Sequence, residues 1–339
     1  MENNFQELIT VLEGGIPSRP VLFELFMNER IYKEAAGAAY DDSSHASSMQ
    51  GRTLAFAKLG YDHVSIAGSN FDFPMAITLE KNGAQTISKN HAATIYDQES
   101  FDKYDWPTPA NFNYQSLDAV AEVLPKKMKG LALSPDGLLE NVINLTGYET
   151  LCIMIYDDPQ LVQDIFDGVG QAMFANYKVC LEHDAVGGIF LNDDWGFNTQ
   201  TMLSLSDMRK YVFPWHKRFT EQAHAYGKVA ILHSCGYFGD IIEDMVDIGL
   251  DGRHSYEDNI IPVEKALDLL NGKFAVLGGI DVDFLIRAPI AEVEKRAEKL
   301  LEIAATRGGY ALGSGNSIPA YVPDEKYYAM INVARKLQG

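Results

Sequence analysis

The chain has 339 residues, of which 47% are hydrophobic and 22% charged, an ordinary balance for a globular protein. Its formal net charge of −19 repels phosphate backbones, and no stretch of lysine and arginine is dense enough to form a local exception. The sequence also lacks a run of about 18 apolar residues, so neither nucleic acid nor a membrane is an expected partner.

Short apolar or β-branched runs, bounded by glycine, proline or aspartate, recur along the chain and are typical of buried parallel strands. Segments with apolar residues three and four apart separate several of these runs and predict helices. The predicted strands are 20–26, 61–68, 129–135, 185–193, 229–235, 248–255, 273–281 and 308–315. The clearest predicted helices are 158–184, 204–228, 238–249 and 290–309.

Strand and helix alternate eight times, which favours an α/β fold consisting of a single (β/α)₈ TIM barrel over residues 1–339. The alternative is an open doubly wound sheet, but the chain has no G-x-G-x-x-G after the first strand and no G-x-x-x-x-G-K-[ST]. The irregular stretch 69–128 contains a hairpin-like segment, 76–88, that turns at Asn82-Gly83. We expect this stretch to be an insertion after strand two that covers the barrel mouth as a lid.

Cysteine usage points to a reducing compartment. The three cysteines, at positions 152, 180 and 235, are too few and too scattered for a disulfide framework. The first residues, MENNFQELITVLEG, are polar and acidic and lack the features of a secretory signal. A cytoplasmic location is therefore expected.

Polar and aromatic side chains follow many of the predicted strands, at the end where a barrel of this kind places its chemistry. Their convergence on one rim predicts an active site. The predicted catalytic residues are Asp193, Asp194, His233, His254, Glu257, Asp281 and Asn316, and the predicted substrate-binding residues are Glu24, Phe26, Trp195, Tyr237 and Tyr256. Two of these have structural alternatives, since Asp193 could cap the following helix and His254 could be a satisfied core histidine.

His233 and Cys235 form the strongest candidate metal pair. Alternate residues of a strand share one face, so both side chains would point into the same cavity. A lone cysteine is more often a small buried hydrophobe, and catalytic zinc has three protein ligands and an open position. The sequence leaves two outcomes open: Glu257, Asp193 or water completes a zinc site, or no tightly held metal is bound.

Several motifs, in order, resemble the uroporphyrinogen decarboxylase superfamily over residues 20 to 335. They are SPDGLLENVINLTGYETL (134–151), NDDWG (192–196), HSCG (233–236), HSYED (254–258), LGGIDVD (277–283) and GSGNSIPAYVPDEKYYAM (313–330). The resemblance implies a (β/α)₈ barrel, in agreement with the strand count. It also implies one of two activities, porphyrinogen decarboxylation or methyl transfer with corrinoid (cobalamin) proteins.

The decarboxylase branch grips a substrate of eight carboxylates with two arginines near the end of strand one. Here that region, 23–37, contains only Arg30, and the net charge of −19 has the wrong sign for a polyanion. The resemblance therefore disfavours decarboxylation of uroporphyrinogen.

The methyltransferase branch includes enzymes that methylate a thiol, holding zinc with a His-x-Cys pair and a later cysteine. His233 and Cys235 match the pair, but the third position falls at Asn316, and asparagine is a poor zinc ligand. The resemblance therefore favours transfer of a methyl group from a small substrate, such as an aromatic methyl ether, to a corrinoid protein. The cobalamin would be carried by that partner, because this chain has no D-x-H-x-x-G motif.

Other hypotheses remain open. One is methylcobamide:thiol methyl transfer, and another is decarboxylation of a smaller carboxylated substrate. In the latter, Asp193 or Asp281 would stabilise a developing cation and His254 would deliver a proton. A scaffold protein without chemistry is disfavoured, because an unused cavity has no reason to retain buried charges.

Overall fold

A parallel sheet of seven strands, hydrogen-bonded in chain order, organises the computed structural model, which describes residues 2–75 and 93–338. The strands are β1 His63–Ala67, β2 Lys129–Leu133, β3 Val186–Asn192, β4 Val229–His233, β5 Gly252–His254, β6 Ala275–Leu277 and β7 Tyr310–Ala311. Each corresponds to a predicted strand, with shorter bounds.

Helices precede, separate and follow the strands. They are α1 Phe5–Leu12, α2 Glu29–Ala36, α3 His45–Leu59, α4 Gln98–Asp102, α5 Gln115–Val123, α6 Leu138–Thr146, α7 Tyr148–Asp157, α8 Pro159–Glu182, α9 Leu205–Asp207, α10 Phe213–Ala225, α11 Ile242–Ile248, α12 Val263–Leu270, α13 Val282–Arg287, α14 Ile290–Arg307 and α15 Asp324–Leu337. The predicted helix 204–228 is divided into α9, a π-helical turn Met208–Val212 and α10. Pro214, which has no backbone N–H to donate, lies at the start of α10 and accounts for the division.

The predicted first strand, 20–26, joins the sheet without forming a ladder. Its backbone meets the far edge of the sheet in an isolated parallel bridge between Leu22 and Leu312. On the side of β1, the Glu24 carbonyl oxygen instead lies within hydrogen-bond distance of the His63 ring, at 3.3 Å, and of the Ser65 hydroxyl, at 3.4 Å. The described residues therefore form seven laddered strands where eight were predicted.

The sheet curls around an apolar interior. Phe23, Leu131, Phe190 and Ile231 belong to one buried cluster together with side chains of α1. A second, larger cluster lies between the strands and the surrounding helices. Apolar side chains fill the interior of the curled sheet. Polar residues lie at the carboxyl ends of its strands, where the predicted site residues are found.

The described part of the predicted insertion packs on the outer helices. Leu117 and Val120 of α5 are buried in the larger apolar cluster, and α5 lies against α3. The predicted hairpin over 76–88 lies outside the described residues, so coverage of the mouth stays a prediction. Within residues 2–75 and 93–338, no helix combines the length and apolarity needed to span a bilayer.

A candidate metal-binding active site

Asp194, His233 and Cys235 bring three potential ligand atoms within 4.8 Å of one another at the carboxyl ends of β3 and β4. The strand register explains the meeting, because Asn192 pairs with His233 and two further residues on each strand reach Asp194 and Cys235. The Cys235 backbone N–H donates to the Asp194 carboxylate at 2.8 Å, and the Cys235 sulfur lies 3.7 Å from His233 Nε2. We call these three residues the His-Cys-Asp cluster.

A chain of hydrogen bonds fixes which nitrogen of His233 is free. His254 Nε2 lies 3.2 Å from the Ser314 carbonyl oxygen, which can only accept, so the His254 proton is on Nε2. His254 Nδ1 must then accept, and it lies 2.7 Å from His233 Nδ1, which therefore donates. This leaves the lone pair of His233 Nε2 facing Cys235, as a metal ligand requires.

Electrostatics agree with this assignment. Burial, reinforced by the charge of Arg253, lowers the pKa of His233 to about 3. Burial and the neighbouring His233 hold the pKa of His254 well below its ordinary value. Both rings are therefore neutral near pH 7, each with one proton to donate and one lone pair.

Glu24 anchors the far end of this chain. Its two carboxyl oxygens accept hydrogen bonds from the backbone N–H and the hydroxyl of Ser314, both at 2.7 Å. Glu24 is fully buried, and burial raises its pKa to about 8, against the lowering effect of the two Ser314 bonds. The structure thus places this predicted substrate-binding residue behind the histidines, where it supports the Ser314 carbonyl.

The Cys235 thiol lies among groups that favour its protonated form. Burial and the adjacent Asp194 raise its pKa well above the ordinary range, while Ser255 has a lowering effect. The Asn316 side-chain amide donates to the Cys235 sulfur at 3.3 Å. Asn316, which occupies the position where the resemblance implied a third ligand, is therefore a hydrogen-bond donor to a ligand atom.

The donor set suits zinc. One imidazole nitrogen with a free lone pair, one cysteine sulfur and one carboxylate oxygen are the ligand types that zinc binds, and three protein ligands are typical of its catalytic sites. Binding would displace the proton of Cys235, since the thiolate is the metal ligand. The sequence predicted Glu257 or Asp193 as the third ligand, whereas the geometry favours Asp194.

A cavity of about 1000 Å³ adjoins the His-Cys-Asp cluster, and Asn316 links the two, because it lines the cavity and contacts Cys235. Glu257 and Asp281, two other predicted catalytic residues, also line it. Asp281 is partly committed to structure, because it accepts from the backbone N–H groups of Phe284 and Asp258 at 3.1 and 2.9 Å. Glu257, by contrast, has its pKa raised by burial and then by Asp281.

Asp193 faces the other way and caps a helix. Its buried carboxylate accepts from the backbone N–H groups of Leu139 and Glu140 at the start of α6, both at 3.1 Å, and lies 3.2 Å from His216 Nε2. The α6 N-cap is Gly137, where an added Cβ would lie 2.1 Å from that of Asp193. Asp193 therefore caps α6, which precedes it in the sequence, and not the following helix that the sequence-based alternative named.

The predicted aromatic contacts are mostly structural. Trp195 is buried and donates to Asp193 at 3.0 Å, while Tyr256 is 1% exposed and packs against the Arg253 guanidinium, 5.0 Å from the ring centre. Phe26 and Tyr237 are partly exposed, and neither is among the residues that line the cavity. The aromatic residues that do line it are Phe284 and Tyr321, which sequence reasoning missed. Their only signal was proximity in sequence to Asp281 and Asn316.

Comparisons with known proteins point to one family. A family model described as uroporphyrinogen decarboxylase (URO-D) matches residues 74–337. Curated relatives named uroporphyrinogen decarboxylase include one from Sorangium cellulosum, 29% identical over 40% of this chain and 38% of its own length. One from Streptomyces griseus is 28% identical over 52% of this chain and 46% of its own length. The matched stretches thus span about half of these relatives or less.

Among solved structures, a methyltransferase from Methanosarcina mazei superposes with a TM-score of 0.71 over 100% of both chains. The sequences are 16% identical, so the likeness shows a shared fold.

Proposed function

We propose that this chain, which belongs to the uroporphyrinogen decarboxylase family, is a methyltransferase. It would move a methyl group from a small substrate, such as an aromatic methyl ether, to the cobalt of a separate corrinoid protein. The observation that carries the proposal is the His-Cys-Asp cluster, in which His233 presents a free Nε2 lone pair beside Cys235 and Asp194 at the edge of a large cavity.

In this proposal the difficult step is departure of the oxygen that loses the methyl group. Zinc held by the His-Cys-Asp cluster would supply Lewis acidity to that oxygen. His254 orients His233 and holds its proton on Nδ1, while Asn316 donates to the Cys235 sulfur. The cavity beside Asn316 holds the donor so that the methyl carbon faces the incoming corrinoid, and alignment of this kind contributes much of an enzyme's acceleration.

Decarboxylation is the second candidate, and the names of the curated relatives favour it. The charge of the cavity argues against a polycarboxylate substrate, because carboxylates in the lining outnumber guanidinium groups. Thiol methylation is the third candidate. The thiol-methylating enzymes that the sequence resembles have two cysteines at this site, whereas the His-Cys-Asp cluster has one cysteine and one aspartate. The cluster therefore does not match their ligand set.

Two readouts separate the first two candidates. The purified protein is mixed with a reduced corrinoid protein and a panel of methyl ethers, and formation of methylcobalamin is followed by its absorbance. The proposal requires methylcobalamin to form with at least one ether. Release of CO₂ from a porphyrinogen, without methylcobalamin formation, would instead establish the decarboxylase.

A further inference from the structure

We infer that the cavity selects methyl donors that carry a positively charged group, a conclusion that rests on the proposed function and specifies its substrate class. The charge would lie in the cavity, and the methylated oxygen would lie beside the His-Cys-Asp cluster. The inference starts from the balance of charged residues in the lining. These are the five acidic residues Glu257, Asp258, Asp281, Asp283 and Glu292 and the single basic residue Arg287.

Part of this negative charge is neutralised within the protein. Asp258 pairs with Arg296 at 3.1 Å, and Asp283 pairs with Arg287 at 2.7 Å. In the described part of the chain, no ion pair engages Glu257, Asp281 or Glu292. The single arginine of the lining is thus already committed, and a negative excess remains.

The pKa of Glu257 responds to this excess of negative charge. Burial raises its pKa and the charges of Asp281 and Asp194 raise it further, while the hydrogen bond with Asn316 and the charge of Arg253 have lowering effects. The neighbouring carboxylates disfavour the ionised form of Glu257, and a cation bound in the cavity would stabilise that form. The same negative charge would repel an anionic ligand.

The aromatic side chains of the lining favour the same class of ligand. Phe284 and Tyr321 add aromatic rings to the cavity lining, and aromatic faces attract cations.

The charged group takes no part in bond making. In the proposed reaction, the electron pair of the new Co–C bond would come from the reduced corrinoid of the partner protein, and the electron pair of the broken C–O bond would stay on oxygen. The phenolate would then take up a proton from water. The cationic group therefore affects binding and alignment and leaves the balance of the reaction unchanged.

The test uses two aromatic methyl ethers of nearly equal size and opposite charge, 4-methoxybenzylamine and 4-methoxybenzoate. Binding to the protein is measured by calorimetry at pH 7, without corrinoid, at low and high salt. We expect the amine to bind at least about tenfold more tightly, with the preference reduced by salt. Equal binding, or tighter binding of the carboxylate, would overturn the inference.

Variants locate the preference. Glu257→Gln and Glu292→Gln should each weaken amine binding about fivefold, as expected for loss of one charge several ångströms away. Glu298→Gln makes the same change on the exposed face of α14, outside the lining, and should leave binding unchanged. Glu292 is exposed, so its variant keeps the test valid even if Glu257→Gln does not fold. Unchanged binding in Glu292→Gln and in folded Glu257→Gln would contradict the inference.

The two proposals fail in different ways. Selective binding of the amine without methylcobalamin formation from any ether would refute the methyltransferase and leave the charge selectivity intact. Methylcobalamin formation at equal efficiency from the amine and the carboxylate would uphold the methyltransferase and refute the selectivity.

Discussion

The Nδ1 atoms of His233 and His254 lie 2.7 Å apart, so a single proton between them decides which nitrogen of His233 is free. The Ser314 carbonyl fixes that proton through His254 Nε2. Supports of this kind orient ligands in many metal sites, and their loss typically lowers metal affinity about 10–100-fold.

His254→Leu should therefore weaken zinc binding by about one to two orders of magnitude, because His233 loses the partner that holds its tautomer. Zinc affinity is measured by competition with a chromophoric chelator. His63→Leu is the matched control, since His63 is also a buried histidine, stacked on Phe23 and outside the cluster. Equal affinities in the two variants would show that His254 is only a core residue.

Adjacent aspartates provide a second test. Asp194→Asn should abolish stoichiometric zinc, because a carboxylate ligand is lost from the His-Cys-Asp cluster. Asp193→Asn should retain zinc but lower the free energy of unfolding by roughly 1–3 kcal/mol, since it weakens the cap of α6. Elemental analysis and urea unfolding check both results. Zinc lost from the Asp193 variant and kept in the Asp194 variant would reverse the assignment.

Glu24 should make stability depend on pH. Its pKa rises from 4.5 to about 8 on burial, so the folded chain binds the proton more tightly than the unfolded chain. This contribution is complete below pH 4.5 and is lost as pH rises from there through about 8, a loss of roughly 5 kcal/mol.

Glu24→Gln mimics the protonated group and should remove this decline. Urea unfolding of both proteins at pH 5 and pH 9 measures the difference. The variant should gain stability relative to the native chain at pH 9 and show little gain at pH 5. Parallel pH profiles would mean that the Glu24 pKa is not raised.

Sequence periodicity predicted the strands well because a buried parallel strand must be apolar along its whole length. The seven laddered strands all fall within predicted ones. Segment 20–26 has the same composition, yet on the side of β1 its contact is made through the side chains of His63 and Ser65 and forms no ladder. Pro214 is a signal in the sequence from which the division of helix 204–228 could be predicted.

Strand alternation alone was enough to predict that His233 and Cys235 share one face. The sequence-based prediction was less accurate where the position of a residue depends on the register between two strands. Asp193 and Asp194 are identical in type and adjacent, and only the register of β3 against β4 brings Asp194 to Cys235.

The central claim is that the His-Cys-Asp cluster is the centre of a methyl-transfer site. The most direct measurement is the initial rate of methylcobalamin formation by the native protein and by His233→Ala, with a reduced corrinoid protein and the most active methyl ether. We expect the variant to be at least about tenfold slower, a loss of roughly 1.4 kcal/mol of transition-state stabilisation. An unchanged rate in a variant that has lost its zinc would contradict the account.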